Sequence, residues 1–142
     1  MGFKTKKMKP LRGAKKAAWA AFALWVKKRD ALKTTGTTDT CRCYTCGKVY
    51  PIKEIDAGHA IPGRHEAVLF DEEIVYGQCQ TCNRWNGGEQ QAFRILLTEL
   101  HGEEWWDEKQ AMKHKVMQRT DTDYKEIAKT YREKLKALLK GE

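Results

Sequence analysis

The cysteines are the side chains whose spacing most clearly indicates chemistry. There are five, and four of them form two pairs with two intervening residues, Cys43 with Cys46 and Cys79 with Cys82. Each pair puts two sulfurs on one tight turn, so two such turns brought together offer four thiolates to a tetrahedral Zn²⁺. The alternatives are disulfides, against which the odd count argues, and a redox motif, which needs only one pair. The sequence therefore predicts one structural zinc ion and leaves Cys41 as a spare thiol, whose one-residue spacing from Cys43 suits a zinc turn less well.

The segment between the two pairs carries a residue that could catalyse proton transfer. Its 32 residues exceed the about 15 to 20 of a simple zinc ribbon, so the zinc closes a loop that has structure of its own. His59 lies in this segment, and a neutral imidazole can take a proton from water near neutral pH. Beside a hard cation and basic side chains, such a base suits the hydrolysis of phosphate esters.

The elements around this histidine follow from the hydrophobic pattern. Two alternating stretches, 48–55 and 73–78, flank a loop with Gly and Pro at 61–64 and predict a hairpin with a long connection. Residues 14–33 predict a helix with one apolar face. From residue 90 onward the apolar spacing predicts three helical pieces, at 90–101, at 103–118 and from 121 or 123 to the end. The core is expected to include three tryptophans, for which base stacking is the alternative: Trp85, Trp105 and Trp106.

The charge is divided unevenly along the chain. The net charge is +8 over 142 residues, but residues 1–33 alone hold 11 Lys and Arg against one acid. A separate basic segment typically contacts phosphates, so nucleic acid is the predicted partner, with a solubilising tail or an anionic membrane surface as alternatives. The longest apolar run, 17–26, is too short to cross a bilayer and precedes KKRD rather than a cleavage site. We expect a cytoplasmic protein of one domain, in which residues 1–13 form a flexible basic arm.

The order of these features resembles a known class of nuclease. A strand, a histidine, a loop, a second strand and then Cys-x-x-Cys-Asn opening a helix is the layout of the ββα-metal, or HNH, finger. Five stretches also resemble the phage NinG or Rap recombination endonuclease family across residues 15–138. They are WAAFALWVKKRDA, CYTCG, DAGH, YGQCQTCNRW followed by Gly87, and TYREKL. Their common order and spacing carry the resemblance.

The resemblance implies an α+β fold and one nuclease domain over residues 14–142. Within it, a zinc-stapled, treble-clef-like ββα-metal finger at 41–89 lies between the basic helix at 14–33 and a helical segment at 90–142. The implied activity is that of an endodeoxyribonuclease that cuts branched recombination intermediates, a Holliday junction or a D-loop, in the cytoplasm of the phage's bacterial host. Symmetric cutting of two strands requires a homodimer, for which the C-terminal helix is the expected surface.

The resemblance also assigns roles to single residues. His59 matches the general base, and Asn83 matches a ligand of the catalytic cation, Mg²⁺ or Mn²⁺, although Asn83 could also cap the helix that it opens. The four paired cysteines match the ligands of the structural zinc. Asp56 is a further candidate for the catalytic site, but it lies three residues before His59, so on a strand the two side chains would face opposite ways.

The sequence departs from the HNH pattern at two positions. An acid or a histidine commonly precedes the catalytic histidine of HNH enzymes, where this chain has Gly58, and Asp56 or His65 is expected to supply the missing ligand. An asparagine is expected in the second strand, where this chain has Ile74. The loop that the asparagine would hold is therefore expected to be anchored in another way, with Asp71 as the candidate.

Basic side chains on the arm, at the start of the helix and beside the finger are expected to contact phosphate without reading bases. They are Lys4, Lys6, Lys7, Lys9, Arg12, Lys15, Lys16, Arg64 and Arg84. Two alternatives to an endonuclease fit the same sequence. One is a non-catalytic zinc-finger protein that binds DNA, and the other is an adaptor that docks a recombination partner through its C-terminal helices.

Overall fold

The computed structural model describes residues 11–63 and 65–141 of the chain. In these residues α-helices combine with short strands, so the fold is α+β as predicted. The helices are α1 (Gly13–Thr35), α2 (Gln90–His101), α3 (Glu103–Met112) and α4 (Asp121–Leu139). The strands are β1 (Thr40–Arg42), β2 (Val49–Pro51), β3 (Ile55–His59) and β4 (Val75–Cys79). They form two separate antiparallel pairs, β1 with β2 and β3 with β4.

Helix α1 packs along α4 and across both strand pairs. Its sequence is rich in Ala, Lys and Leu, which are strong helix formers. It ends at Gly36, which adopts a left-handed conformation with φ 77° and donates its N–H to the carbonyl of Leu32. The face that carries Ala18, Phe22 and Val26 is fully buried. Neither α1 nor any other helix in the described part of the chain has the length and apolarity to span a membrane.

The hairpin that carries the histidine consists of β3 and β4. Its register runs from Ile55 opposite Cys79 to His59 opposite Val75, and residues 60–74 connect the two strands. His59 therefore stands where β3 enters the long connection. Cys79 stands at the other end of the hairpin, where the chain turns toward the second cysteine pair.

The prediction of one strand over 48–55 was wrong. Val49–Pro51 pairs with β1, and a 3-10 turn at Ile52–Glu54 precedes β3. The alternating pattern at 48–55 therefore belongs to two strands in different sheets. Pro51 is a natural end for β2, because its ring nitrogen has no hydrogen to donate to a strand ladder.

The predicted helix over 103–118 was too long, since α3 ends at Met112. Val116 is 92% exposed, so the segment after α3 has little apolar surface in the core to hold it in a helix. The next helix opens with a capping box, in which Asp123 N–H donates to Thr120 Oγ1 at 3.2 Å and Thr120 N–H donates to Asp123 Oδ2 at 2.8 Å.

One hydrophobic core lies between α1, the 60–74 connection and the C-terminal helices. Its buried members include Phe22, Val26, Ile61, Val68, Ile74, Val75, Phe93, Leu97, Trp106 and Tyr131. A smaller buried cluster surrounds the cysteines and includes Ala31 and Ile55. An isolated two-stranded sheet is only marginally stable in water. Here α1 packs on one side of the sheets and the cysteine cluster on the other.

Candidate functional site

The four paired cysteines come together as predicted. Their sulfurs all lie within 4.8 Å of one another, and the sulfurs of Cys46 and Cys79 are 3.9 Å apart. A tetrahedral Zn²⁺ with bonds of about 2.3 Å requires sulfurs about 3.8 Å apart, so this arrangement fits zinc. Cys41 is buried in β1 and is not part of the group. Burial and the nearby carboxylate of Asp30 raise the pKa of the Cys41 thiol to about 11.

Hydrogen bonds to the sulfurs favour the charged form that binds metal. The N–H of Cys46 points to the sulfur of Cys43 at 3.5 Å, and the hydroxyl of Thr45 lies at the same distance from that sulfur. The N–H of Cys82 points to the sulfur of Cys79 at 3.4 Å. Burial raises the pKa of Cys43, but hydrogen bonds that include those from Thr45 and from the N–H of Cys46 outweigh burial and lower the pKa to about 6. Burial raises the pKa of Cys46 and of Cys82.

A cavity of about 620 Å³ adjoins the hairpin and brings together four residues predicted for the site: His59, Asp56, Asn83 and Arg84. It is lined by residues of β3, of the start of the 60–74 connection, of α1, and of the segment from the last cysteine to the start of α2. Strand alternation predicted that Asp56 and His59 face opposite ways, yet both line this cavity. Asp56, Ala57 and His59 all line the cavity, so residues of both faces of β3 reach it.

The imidazole of His59 is held from two sides. Its Nε2 lies 3.1 Å from the carbonyl oxygen of Leu69, and its ring stacks on Trp19 with 4.9 Å between ring centroids and 18° between planes. A carbonyl oxygen only accepts, so Nε2 carries the hydrogen in this bond. In the neutral ring the basic lone pair is then on Nδ1. The side chain of Gln90 also donates to the backbone carbonyl of His59, at 3.2 Å.

Asp56 connects β3 to the π-helical turn Thr81–Trp85 that follows the second cysteine pair. Its carboxylate accepts from Nδ2 of Asn83 at 2.9 Å and from two nitrogens of Arg84 at 2.8 and 3.0 Å. The hydrogen bonds and the charge of Asp56 raise the pKa of Arg84. The bond from Asn83 uses its amide nitrogen and does not engage its carbonyl oxygen. Asp56 therefore acts as a positioning residue for Asn83 and Arg84 in this geometry.

The residue before the histidine is fixed as glycine by its neighbour across the hairpin. A Cβ on Gly58 would lie 2.2 Å from Oε1 of Gln78, whose side chain is fully buried. Gln78 is itself held in place, because its Nε2 donates to Gly88 O at 2.8 Å and to Thr45 Oγ1 at 3.0 Å. The acid or histidine that HNH enzymes commonly carry here has no room in this chain.

Ion pairs with other elements hold the connection that contains Leu69. Glu66 accepts from Lys15 of α1 and from Arg119, and Lys109 of α3 bonds to Asp71. Glu72 accepts from Tyr131 and Lys134 of α4. Lys109 also bonds to Glu73, so Asp71, the predicted anchor, is one of four acids that tie the connection to other elements. The other three were not predicted, because their partners are far along the chain.

Other predicted site residues lie elsewhere. The ring of His65 lies 6.3 Å from that of His114, and His65 is not among the residues that line the cavity. Lys15 is engaged with Glu66, whereas Arg12 and Lys16 are exposed at the start of α1. The remaining predicted phosphate contacts lie outside the described residues: Lys4, Lys6, Lys7, Lys9 and Arg64.

The structure adds basic residues to the site that sequence reasoning missed. A second cavity of about 490 Å³ shares Pro62 and Gln90 with the first. Among the described residues that line the two cavities, the only acid is Asp56, against four basic side chains: Lys27, Arg84, Arg94 and Lys113. The two cavities together form a basic groove, and this name is used below. No local motif marks Arg94 and Lys113, because they come from two different helices or their ends.

The expectation of a buried Trp85 was wrong. Trp106 is buried and Trp105 is half-buried, but Trp85 is 82% exposed. In the π-helical turn, Cys82 points into the sulfur cluster and Asn83 lines the cavity, which leaves Trp85 directed to the surface. Trp19 lies in the helix predicted over 14–33, and in the structure it is both a packing residue and the stacking partner of the histidine.

Comparison with protein families gives a match that extends over nearly the whole chain. The model of the family described as Bacteriophage Lambda NinG protein matches residues 2–142. Comparison with curated proteins finds no match, and comparison with solved structures finds none either.

Proposed function

Since the chain belongs to the NinG family of phage proteins, we propose that it is a metal-dependent DNA endonuclease that acts in phage recombination. Its substrate is branched DNA, a Holliday junction or a D-loop, and hydrolysis leaves a 3′ hydroxyl and a 5′ phosphate. The observation that carries the proposal is the placement of His59, whose imidazole is held from two sides at the wall of a cavity that Asn83 also lines.

His59 is the proposed general base. The hydrogen bond from Nε2 to the carbonyl of Leu69 fixes the tautomer in which Nδ1 can accept a proton from the attacking water. The imidazolium that results keeps its hydrogen bond to the carbonyl. Its positive charge also lies against the face of Trp19, which stabilises a cation.

The cation of the proposed reaction is Mg²⁺ or Mn²⁺. Within the described residues, the sulfur cluster is the only group of three or more His, Cys, Asp or Glu side chains close enough to share an ion. The cavity therefore suits a cation that keeps most of its water and uses one or two protein ligands plus a phosphate oxygen, as Mg²⁺ commonly does. The amide oxygen of Asn83 is the proposed protein ligand. His59 has one basic nitrogen, Nδ1, which the proposed reaction uses to accept the proton, so His59 would lie beside the ion without binding it. Bound there, the ion would stabilise negative charge on the phosphate and on the departing oxygen.

The basic groove supports DNA as the substrate. Its four cations stand against one acid, and that acid is already paired with Arg84. Such a surface attracts the phosphate backbone without reading the sequence of bases. Substrate choice on this surface comes from the shape of the DNA, which agrees with a preference for branched structures.

A nicking assay tests the proposal. Supercoiled plasmid and a four-way DNA junction are incubated with the protein, with and without Mn²⁺. We expect cleavage that requires Mn²⁺ and falls by about 10²- to 10⁴-fold in His59→Ala, with zinc content and DNA affinity unchanged. His101→Ala is the matched control, because His101 lies on the exposed side of α2 beside Trp105.

Equal cleavage by His59→Ala would refute the assignment of the base. Binding of junction DNA without any cleavage would favour the non-catalytic zinc-finger protein. Neither binding nor cleavage would favour the adaptor that docks a recombination partner.

A further inference from the structure

Trp85 is an exposed indole in a chain that otherwise covers its tryptophans. It is 82% exposed, while the other four tryptophans are buried or half-buried. Exposing an indole forgoes the favourable burial of a large apolar surface. Nothing in the packing of the described residues accounts for an aromatic side chain at this position.

The backbone that carries the exposed indole lies next to the basic groove, on a turn that is held at two points. The preceding residues Asn83 and Arg84 line the groove, and so do Gly87 and Gly88 just after it. The turn is held by Cys82 in the sulfur cluster and by the ion pair between Arg84 and Asp56. The backbone of Trp85 is thus held next to the groove from two sides, and its indole is exposed to solvent there.

We propose that Trp85 stacks on a nucleobase that is unpaired or unstacked next to the bound phosphates. This inference rests on the proposed function for the identity of the polyanion in the groove. A base inside a continuous duplex is covered on both faces by its neighbours, so an indole cannot reach it without unstacking. Single strands and branch points expose base faces, and aromatic side chains bind such faces whatever the sequence. Trp85 is thereby a specificity residue that favours branched or gapped DNA over continuous duplex.

The positive charge around Trp85 favours a nucleobase, which carries phosphates with it, over an apolar protein surface as the partner of Trp85. Arg84 is adjacent in sequence, and it is one of the four basic residues that line the groove against a single acid. A base stacked on Trp85 would bring its own phosphates toward these cations. A hydrophobic partner protein would have to cover the same charges without compensating them.

The test measures DNA affinity without added Mg²⁺ or Mn²⁺, with the structural zinc retained, and in the His59→Ala background, so that no cleavage intervenes. The probes are a four-way junction, a duplex with a three-nucleotide gap and a continuous duplex, the first two with 2-aminopurine at an exposed base. We expect Trp85→Ala to weaken binding of the junction and the gapped DNA by about 5- to 150-fold, the loss typical of one stacked base. Binding of the continuous duplex should change by less than about two-fold.

Two further variants make the result specific. Trp85→Phe keeps an aromatic face and should retain most of the affinity and of the 2-aminopurine quenching. Leu100→Ala, which removes an exposed apolar side chain (67% exposed) from α2, should leave all three affinities unchanged. Zinc content and circular dichroism verify that each variant is folded.

Unchanged junction affinity in Trp85→Ala would overturn the inference, and so would an equal loss for all three DNAs. The result for Trp85 can be judged separately from the result for the proposed nuclease activity. If the wild-type protein cuts no DNA with Mn²⁺ but the binding difference is found, the nuclease proposal fails and the stacking inference stands. If the wild-type protein cuts junctions and Trp85→Ala binds them normally, the stacking inference alone fails.

Discussion

The indole of Trp19 lies face to face with the imidazole of His59, with 4.9 Å between centroids and 18° between planes. The two residues belong to different elements, α1 and β3. The helix that precedes the first cysteine pair in sequence therefore forms one wall of the cavity at the candidate site. The orientation of the proposed base depends on how α1 packs, and not only on the hairpin that carries it.

Replacing Trp19 tests whether its aromatic face matters to the reaction. Trp19→Leu keeps apolar volume against Phe22 and Phe70 but removes the ring that faces the imidazolium, whereas Trp19→Phe keeps a ring. A cation over an aromatic face gains about 0.5–2 kcal/mol, so we expect cleavage by Trp19→Leu to slow by about 2- to 30-fold. Single-turnover rates at saturating protein measure this without a contribution from DNA affinity. Equal rates for the Leu and Phe variants would show that Trp19 only fills space.

The second prediction concerns Gly58 and Gln78 across the hairpin. Gly58→Ala should destabilise the fold by about 1–3 kcal/mol, because the new Cβ would meet the buried Oε1 of Gln78 at 2.2 Å. Gln78→Ala should also destabilise, through the lost hydrogen bonds to Thr45 and Gly88. The double variant should be more stable than the sum of the two effects implies, since the clash is then absent. Urea unfolding of the four proteins measures the coupling, and strict additivity would contradict the clash.

The sequence was sufficient for the parts of the site that depend on local spacing. The Cys-x-x-Cys turns and the hairpin around His59 follow from residues that are near one another in the chain. The contacts of Trp19 with His59 and of Arg84 with Asp56 depend on packing between elements 28 or more residues apart, which no local pattern encodes. The contacts of Glu66 and Glu72 likewise depend on packing between elements that are far apart in the chain. Their partners on α1 and α4 were predicted as helical residues, but nothing in the spacing indicated that they hold the connection before Ile74.

The third prediction is that zinc is required for the folded finger. Purified protein should contain one zinc ion per chain, and chelation should unfold β1 to β4, because binding of structural zinc contributes about 10–16 kcal/mol, against a typical net stability of about 5–15 kcal/mol. Cys79→Ser should lose zinc and show the same change by circular dichroism. Cys41→Ala is the matched control and should keep its zinc, since Cys41 lies outside the sulfur group. Zinc loss in Cys41→Ala would mean that the ligand set is different.

The last prediction is a pH dependence that arises at Glu66. Burial raises the pKa of this carboxyl, but hydrogen bonds from Lys15, Arg119 and Tyr124 outweigh burial and hold the pKa below its ordinary value of 4.5. A lowered pKa means that the ionised form stabilises the fold above the unfolded-state pKa. That stability is lost as the pH falls through the lower pKa of the folded protein.

Glu66→Gln removes this contribution and provides the measurement. Near pH 7 the variant should be less stable than the wild type by about 2 kcal/mol, and the difference should shrink as the pH falls from about 5 toward 3. Comparing the two proteins at each pH cancels the titration of the cysteines, which both share. Glu103→Gln is the control, because Glu103 is an exposed acid 3.6 Å from Arg94 and should contribute almost nothing at any pH. A difference that stays constant or grows toward acid pH would contradict the assigned role of Glu66, since an ion pair cannot persist once its carboxylate is protonated.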